Sequence, residues 1–375
     1  MKSSVLEEIR TLRNNKDINL NTMNNNRYCI LIREKDGSET AYCYSTPIYN
    51  LKSKHIVDLQ FHSEKNSFYT YGSNVRIDVQ KDICMQNQNG YIKLLVDDIA
   101  FKPQGRSLVS PSCVISPTLN GVLFNVNSNN YTIIMEASKP FLKIRANSKY
   151  FAYMSEKFKP FGTLSSLGTV DLYNHFCAPA LVTYKKLNDK QVALTLRSGV
   201  ESGKHILFEV NMYENKLFQD TTVESKNPKE NNVYGGIAFL GNTECFGEQW
   251  LYSRPDFSKI SELLNKQVRY VKLHLPNYNK NNFIVLSGFE LTNRFCSFGS
   301  TWNKKIALSK IITDSFGSNA YQSIDITNLI VNKKSKAINH TEGLILRTKV
   351  KGCGFSAVAT GDNYYTPQIL EINYI

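Results

Sequence analysis

The residues best suited to acid–base or nucleophilic chemistry are scattered along this chain. It contains six histidines, and His55 and His62 are not spaced like a familiar pair of metal ligands. His175 and Cys177 stand at i and i+2, which would place them on one face of a strand. No carboxylate is indicated that would orient the histidine as a base for the thiol. The hydrolase and metalloprotease motifs G-x-S-x-G and H-E-x-x-H are both absent from the sequence.

Paired carboxylates are the more serious enzymatic alternative. Asp97 and Asp98 are adjacent, and Glu244 and Glu248 flank a predicted strand, so either pair offers groups for general acid–base work. The aspartates are better explained as the end of a strand, and His274 as a residue within one. We therefore expect a protein that is not an enzyme and has no catalytic residue, metal or cofactor. A polysaccharide-active enzyme is the least favoured alternative.

Sugar binding needs an exposed aromatic platform with polar groups beside it. The chain has 21 Tyr and 20 Phe but only 2 Trp. The candidate ligand-binding residues are the two tryptophans and three tyrosines in turn-rich contexts: Trp250, Trp302, Tyr321, Tyr364 and Tyr365. The competing interpretation is that both tryptophans anchor the core.

The formal net charge is +13, which favours acidic partners such as an anionic polysaccharide or an anionic surface. The lysines are scattered among apolar residues, however, as on a solvated face of a sheet. No arginine-rich helix or RNA-binding signature occurs, so we expect no nucleic-acid partner.

The eight cysteines are widely spaced and form no C-x-x-C pair, which argues against a zinc site. Their even number permits disulfides, but most lie in apolar contexts. The prediction is that most are free and buried.

The chain opens with a predicted amphipathic helix. Ser3 or Ser4 would cap it, and an apolar face follows at Val5, Leu6, Ile9 and Leu12. Because this charged segment is no signal peptide, we expect synthesis in the cytoplasm and no membrane span, with a final location at a spore surface or virion. Residues 16–26 are polar and predicted to be a linker. We hypothesise that the segment from Ser3 to Asn26 mediates assembly between subunits.

From Tyr28 onward, short β-prone runs alternate with turn signals. Cys29 to Ile32, the turn at Asp36–Gly37, and Thr40 to Tyr44 predict a hairpin. Regular short strands of this kind are typical of a sandwich or barrel. We predict an all-β protein made of an N-terminal helix and linker (1–26), a β-rich domain (27–215) and a second β-sandwich (216–375).

Motifs in the last part of the chain carry a family resemblance. The opening D-T-x-[VI]-x-S-x-N-P pattern is matched by Asp220, Thr221, Val223, Ser225, Asn227 and Pro228, followed by Asn231 and Gly235. Further matches are Ser300 to Asn303, Ser323 to Thr327, Gly343 to Leu346 and Thr366 to Tyr374. In this order they resemble the DNRLRE domain, a module of bacterial and archaeal surface proteins. The family strand near Arg254 and Asp256 is interrupted here by Pro255, so that strand is expected at an edge or in a different pairing.

The resemblance implies a jelly-roll sandwich and a surface or binding role, since some members bind polysaccharide. The expected function is a non-catalytic structural or adhesive component of an extracellular assembly, such as a spore surface, a filament or a phage particle. Its partners would be further subunits of the assembly. The alternative is a stand-alone carbohydrate-binding protein.

Overall fold

In the computed structural model, strands joined by tight turns make up most of the chain. The structure describes residues 4–14, 20–22, 26–50, 55–96, 100–171, 176–198, 205–279, 284–306, 308, 311–317, 320–339, 341–352 and 354–375. They form two compact units: Met1–Val5 with Ile48–Asn215, and Leu6–Pro47 with Lys216–Ile375. The predicted all-β fold class with a short N-terminal helix is confirmed.

The first unit is built from two antiparallel sheets. Sheet I runs in the order β20 (Ala180–Lys186), β21 (Gln191–Ser198), β15 (Asn130–Ala137), β10 (Gly90–Leu95), β9 (Ile83–Asn87), β8 (Arg76–Val79), β7 (Ser67–Tyr71) and β6 (His62–Glu64). Sheet II runs β11 (Lys102–Gln104), β12 (Ser107–Val109), β13 (Cys113–Pro117), β14 (Gly121–Val126), β22 (His205–Met212), β18 (Pro160–Val170), β17 (Tyr150–Met154) and β16 (Lys143–Ala146), with β19 (Phe176–Ala178) beside β18. A small ribbon joins β4 (Tyr49–Asn50) and β5 (His55–Ile56).

Alternate residues of sheets I and II share one apolar core, which makes this unit a sandwich. Ile77 and Leu194 enter it from sheet I, and Ile115 enters it from sheet II. The rings of Phe124 and Phe208, on neighbouring strands, stack with centroids 4.6 Å apart. The period-2 pattern of these strands therefore buries one face of each sheet.

The second unit also has two sheets. Sheet III runs β1 (Leu20–Thr22), β2 (Cys29–Arg33), β3 (Glu39–Tyr44), β33 (Ile369–Tyr374), β26 (Val268–Pro276), β30 (Tyr321–Asp325) and β29 (Phe316–Gly317). Sheet IV runs β28 (Ile311–Asp314), β27 (Leu286–Glu290), β31 (Leu344–Thr348), β25 (Gly247–Pro255), β24 (Ile237–Thr243) and β32 (Phe355–Ala359), with β23 (Phe218–Glu224) on β25. The helices are α1 (Ser4–Leu12), α2 (Thr327–Ile330) and the 3₁₀ segments Phe257–Leu263 and Trp302–Lys304.

The core of the second unit lies between sheets III and IV. Ala41, Leu273 and Ile372 face it from sheet III, while Leu251 and Leu346 face it from sheet IV. This packing corrects the predicted domains, because residues 27–47 belong with the C-terminal sandwich and not with the domain that ends at 215. β3 pairs with β33, so the first and last parts of the chain share a sheet.

Pro255 does not place its strand at an edge, which was one of the two expected alternatives. β25 pairs with β23 on one side and with β31 on the other. Pro255 is the last residue of β25, opposite Phe218, so its missing N–H falls where the strand ends. The strand interior keeps its full set of donors.

The N-terminal helix docks on its own chain. Ile9 is fully buried, and Leu6 and Leu12 are half-buried. Arg13, just after the helix, donates to both carboxylate oxygens of Glu34 at 2.6 and 2.9 Å. Because the apolar face is already covered, burial against a neighbouring subunit does not account for it. The predicted linker lies mostly outside the described residues, and Leu20–Thr22 forms strand β1.

The cysteines depart in part from the prediction of free, buried thiols. Cys29 and Cys43 face each other on β2 and β3 and form a disulfide. Among the described residues outside this disulfide, Cys113 is buried and Cys84 is half-buried, but Cys245 and Cys296 are exposed.

Candidate functional site: a polar cleft on sheet III

The outer face of sheet III carries polar and aromatic side chains where the inner face is aliphatic. Along β26, Val271, Leu273 and Leu275 enter the core, so the intervening Tyr270 and His274 face outward. These outward positions line a cleft of about 1700 Å³ within the second unit. Because side chains point to alternate faces along β26, this one strand contributes to both the core and the floor of the cleft.

Hydrogen bonds join four side chains of the floor across three neighbouring strands. The His274 Nδ1 lies 2.6 Å from Ser323 Oγ, and its Nε2 lies 2.7 Å from Glu371 Oε2. The Tyr270 hydroxyl donates to Glu371 Oε1 at 2.7 Å. The serine, histidine and glutamate are each less than 10% exposed. Both oxygens of the buried carboxylate are therefore satisfied, as a buried charge requires.

The pKa of Glu371 is lowered below its ordinary value of 4.5. Burial alone would raise it, but the hydrogen bonds from His274 and Tyr270 and the positive charge of Lys272 outweigh burial. An acid whose folded pKa is lowered stabilises the fold fully above its unfolded pKa. That contribution is lost as the pH falls through the folded pKa.

We expect Glu371→Gln to lower the free energy of unfolding at pH 6 by about 2 kcal/mol, because a charged acceptor is replaced by a neutral amide. The variant should also lose less stability than the wild type between pH 5 and pH 3, since its position no longer titrates. Urea denaturation across this range measures both effects. Glu342→Gln, at an exposed position, is the matched control. Parallel pH profiles for the wild type and Glu371→Gln would contradict the assignment.

A second chain of hydrogen bonds runs beside the cleft through the buried Thr40 of β3. The Thr40 hydroxyl donates to Glu34 at 2.7 Å, and Asn373 donates to Thr40 at 3.0 Å. The hydrogen bond from Arg13 is the main reason that the pKa of Glu34 is lowered. The segment after α1 is thereby tied to the edge of the cleft.

Helix α1 places a carboxyl group near the buried tyrosines of this face. Burial raises the pKa of Glu8 to about 8, and a hydrogen bond with Tyr44 partly opposes the shift. Tyr321, in the cleft wall, has a pKa raised well above its ordinary value, first by burial and then by the charge of Glu8. Its ring meets the His274 ring edge-on, with centroids 6.4 Å apart.

The rim of the cleft is cationic and partly aromatic. The basic residues that line it are Arg13, Arg33, Lys35, Arg269 and Lys272, and the acidic ones are Glu34, Asp36 and Glu371. Arg269 is paired with Asp36 at 2.5 Å. Phe316 is 48% exposed and the Lys272 ammonium lies 6.0 Å from its ring. The cleft therefore offers an apolar ring beside cations and hydrogen-bonding groups.

Of the five predicted ligand-binding residues, Tyr321 alone lines the cleft, and it is 7% exposed. Trp250, on β25 of sheet IV, lies beside Trp302 of the 3₁₀ segment Trp302–Lys304, with ring centroids 5.1 Å apart. Trp250 is buried in a separate apolar cluster, and Lys305 lies 3.6 Å from the centre of the Trp302 ring. Trp250 thus lies in a core position, whereas Trp302 is partly buried and packs against the same cluster.

The last two predicted residues stand in the turn before β33. Tyr364 is 1% exposed, so it lacks the open ring face that a sugar platform needs. Tyr365 is half-buried, and its backbone N–H donates to Asn363 at 3.1 Å. The structure does not bring either tyrosine into the lining of the cleft.

The other candidate catalytic groups are dispersed. His62 lies 3.4 Å from Asp58 on an exposed surface of the first unit. Glu248 accepts a hydrogen bond from the Trp250 indole at 2.9 Å. Asp97, Asp98, His175 and the side chain of Cys177 lie outside the described residues. Within the described part of the chain, no group of three or more His, Cys, Asp or Glu side chains is placed to hold a metal ion.

The motif residues that carry the DNRLRE resemblance form buried ion pairs and hydrogen bonds to loops of the second unit. Asp220 is buried, pairs with Lys216 at 3.0 Å, and accepts the backbone N–H of Gly361. Lys216 also pairs with buried Asp362, whose pKa is raised well above its ordinary value, mainly by burial. The Asn231 amide donates to the carbonyls of Ser297 and Ser300 at 2.7 and 2.8 Å. These residues fix loops of the second unit.

The fold and the cleft define an all-β protein with a polar cleft on one sheet. No family model matches the chain, and no curated protein is significantly similar to it. No described helix is long and apolar enough to cross a membrane.

Proposed function

We propose that this chain is a non-catalytic adhesive protein that binds an acidic polysaccharide in the cleft of sheet III. The observation that carries the proposal is the lining of the cleft, where an exposed ring and cationic side chains surround a hydrogen-bonded floor. Sugars present hydroxyl groups along their edges and C–H groups on their faces, so this mixture of donors, acceptors and an aromatic ring suits them.

The charge of the rim supports an acidic chain over a neutral one. Five basic residues line the cleft against three acidic ones, and two of the acidic residues are engaged with arginines. Lys272 lies beside the exposed Phe316 ring, where a carboxylate of a stacked sugar would meet it. Charge of this sign raises the association rate and the affinity for a polyanion, and salt weakens both.

The test is calorimetric titration with oligogalacturonate and, as a neutral comparison, dextran. Phe316→Ala should weaken oligogalacturonate binding about tenfold, since one buried apolar contact contributes on the order of 1.5 kcal/mol or more. Lys272→Ala should weaken it by a similar factor and reduce its salt dependence. Val350→Ala is the control, because Val350 is 55% exposed and outside the cleft lining. Equal affinity in all three variants, or no binding of oligogalacturonate, would reject the proposal.

The setting of such a protein is part of the same proposal. The resemblance to the DNRLRE domain rests on the short motifs quoted above, and it supports a surface module with a polysaccharide ligand. A spore surface, a filament or a phage particle would each use an adhesive subunit of this kind. Negative-stain electron microscopy of the purified chain, showing polymers or single particles, separates an assembly subunit from a stand-alone binding protein.

A serine hydrolase is the second candidate, favoured by the Ser323–His274–Glu371 chain of hydrogen bonds alone. The order of groups is that of a nucleophile, a base and an orienting acid. Ser323, however, stands inside β30, which pairs with β26 and β29 on its two edges, so this strand has no sharp turn to project the hydroxyl. Labelling by a fluorophosphonate that Ser323→Ala abolishes would favour the enzyme over the binding protein.

A further inference from the structure

One end of the first unit presents apolar side chains on neighbouring loops. Leu142 is 77% exposed, Phe158 is 53% exposed and Leu187 is 45% exposed. Single exposed apolar side chains are ordinary, but several that lie close together mark an interaction surface.

The three loops converge in space. Lys143 pairs with Met154, and Met154 pairs with Pro160, which brings the loop before β16 beside the turn between β17 and β18. The Phe141 backbone N–H donates to the Asp189 carbonyl at 2.7 Å, which adds the turn between β20 and β21. Leu142, Phe158 and Leu187 therefore stand at one end of the sandwich, and we call them the apolar tips.

Lysines surround the apolar tips. The exposed basic residues of these loops are Lys139, Lys143, Lys157, Lys159, Lys186 and Lys190, and the neighbouring Lys185 is exposed at the end of β20. The acidic residues of the same loops are Glu156 and Asp189, and Asp189 is paired with Lys186 at 2.7 Å. The Lys157 ammonium lies 5.2 Å from the centre of the Phe158 ring. The end of the unit is thus strongly cationic as well as apolar.

We propose that the apolar tips and their lysines dock this protein on an anionic lipid bilayer. Apolar side chains at loop ends enter the boundary between head groups and acyl chains, while lysines remain at the level of anionic head groups. A soluble polyanion would satisfy the lysines but gives no environment for a leucine that is 77% exposed. The combination therefore fits a bilayer better than an acidic polymer.

The experiment is co-sedimentation of the full chain with vesicles of phosphatidylcholine containing 30% phosphatidylglycerol, and with vesicles of phosphatidylcholine alone. We expect binding to the anionic vesicles, little binding to the neutral ones, and loss of most binding in 0.5 M salt. The variant Leu142→Ser/Phe158→Ser/Leu187→Ser should lower the bound fraction at least fivefold. Lys139→Glu/Lys157→Glu/Lys190→Glu should lower it to the level of neutral vesicles.

Tyr71→Ser is the matched control, because Tyr71 is 44% exposed on sheet I. It lies on β7, six strand positions from β20, or roughly 29 Å at about 4.8 Å per strand. Unchanged binding in this variant, with folded circular dichroism spectra for all, supports the proposal. Equal binding by the triple serine variant would overturn it, and so would no binding to either vesicle. Heparin binding that the triple serine variant keeps but that Lys139→Glu/Lys157→Glu/Lys190→Glu lowers, while vesicles bind neither the wild type nor the triple serine variant, would identify a polyanion partner instead.

Discussion

A chain that begins at Lys216 and ends at Ile375 should remain unfolded on its own. The sequence predicted that this segment is an independent sandwich, but its last strand, β33, pairs along its whole length with β3. Removing residues 6–47 exposes that edge and takes Ala41 and Cys43 out of the core. The burial lost with β2 and β3 is comparable to the whole stability of a domain, about 5–15 kcal/mol.

Circular dichroism with urea titration measures this expectation. The matched comparison is a circular permutant of the second unit. It begins at Lys216, continues to Ile375, and is then joined through a flexible linker to residues 6–47, so that β2 and β3 are restored. The permutant should unfold in one cooperative transition, whereas the segment from Lys216 should show none. A cooperative transition of similar midpoint in both chains would show that the N-terminal strands are dispensable.

Asp220→Ala should be among the most destabilising single substitutions in the second unit. It removes one partner of Lys216 and the acceptor of the Gly361 N–H, and all of these groups are shielded from solvent. Breaking a buried ion pair by deleting one partner costs about 3–5 kcal/mol, because the remaining charge stays buried. Lys216 would still face Asp362, whose carboxyl is itself held against ionisation by burial.

Chemical denaturation of the full chain at pH 7 gives the change in the free energy of unfolding. Asp325→Ala is a suitable control, since Asp325 is exposed and its carboxylate accepts the Thr327 N–H at 2.9 Å. Its loss should cost about 1 kcal/mol, as for other capping-type side chains. If Asp220→Ala lowered the free energy of unfolding no more than Asp325→Ala, the ion pairs of Lys216 with Asp220 and Asp362 would contribute little to the stability of the fold.

Local patterns in the sequence were enough to predict the hairpin of β2 and β3 and its turn. The hairpin around Asp36–Gly37 forms β2 and β3, and Gly37 has the positive φ of +85° that such a turn favours. The helix α1 also begins where its capping residues predicted. These features are determined by residues close together in sequence, so they can be predicted from one sequence alone.

Which strands pair with each other could not be predicted from local patterns. The pairing of β3 with β33 joins residues more than 300 positions apart, and no turn between them signals it. The cleft likewise depends on residues far apart in sequence, since His274, Ser323 and Glu371 come from three separate segments. The sequence placed His274 within a strand but gave no indication of the side chains around it.

The aromatic candidates were chosen by rarity and by turn context, which do not determine exposure. Trp250 lies inside β25 opposite Val223 of β23, and Tyr364 is 1% exposed in a turn that Asn363 holds. Phe316, on a two-residue strand, gave no comparable signal yet is 48% exposed in the cleft.

Hydroxyl-radical footprinting with and without saturating oligogalacturonate tests the central claim most directly. Phe316, at 48% exposure, and Tyr71 of the first unit, at 44%, start from similar accessibility. If the acidic chain occupies the cleft of sheet III, oxidation of Phe316 and Tyr270 falls severalfold while oxidation of Tyr71 stays constant. Unchanged oxidation of Phe316 and Tyr270, with protection at Trp302 or elsewhere, would contradict the assignment of this cleft as the binding site.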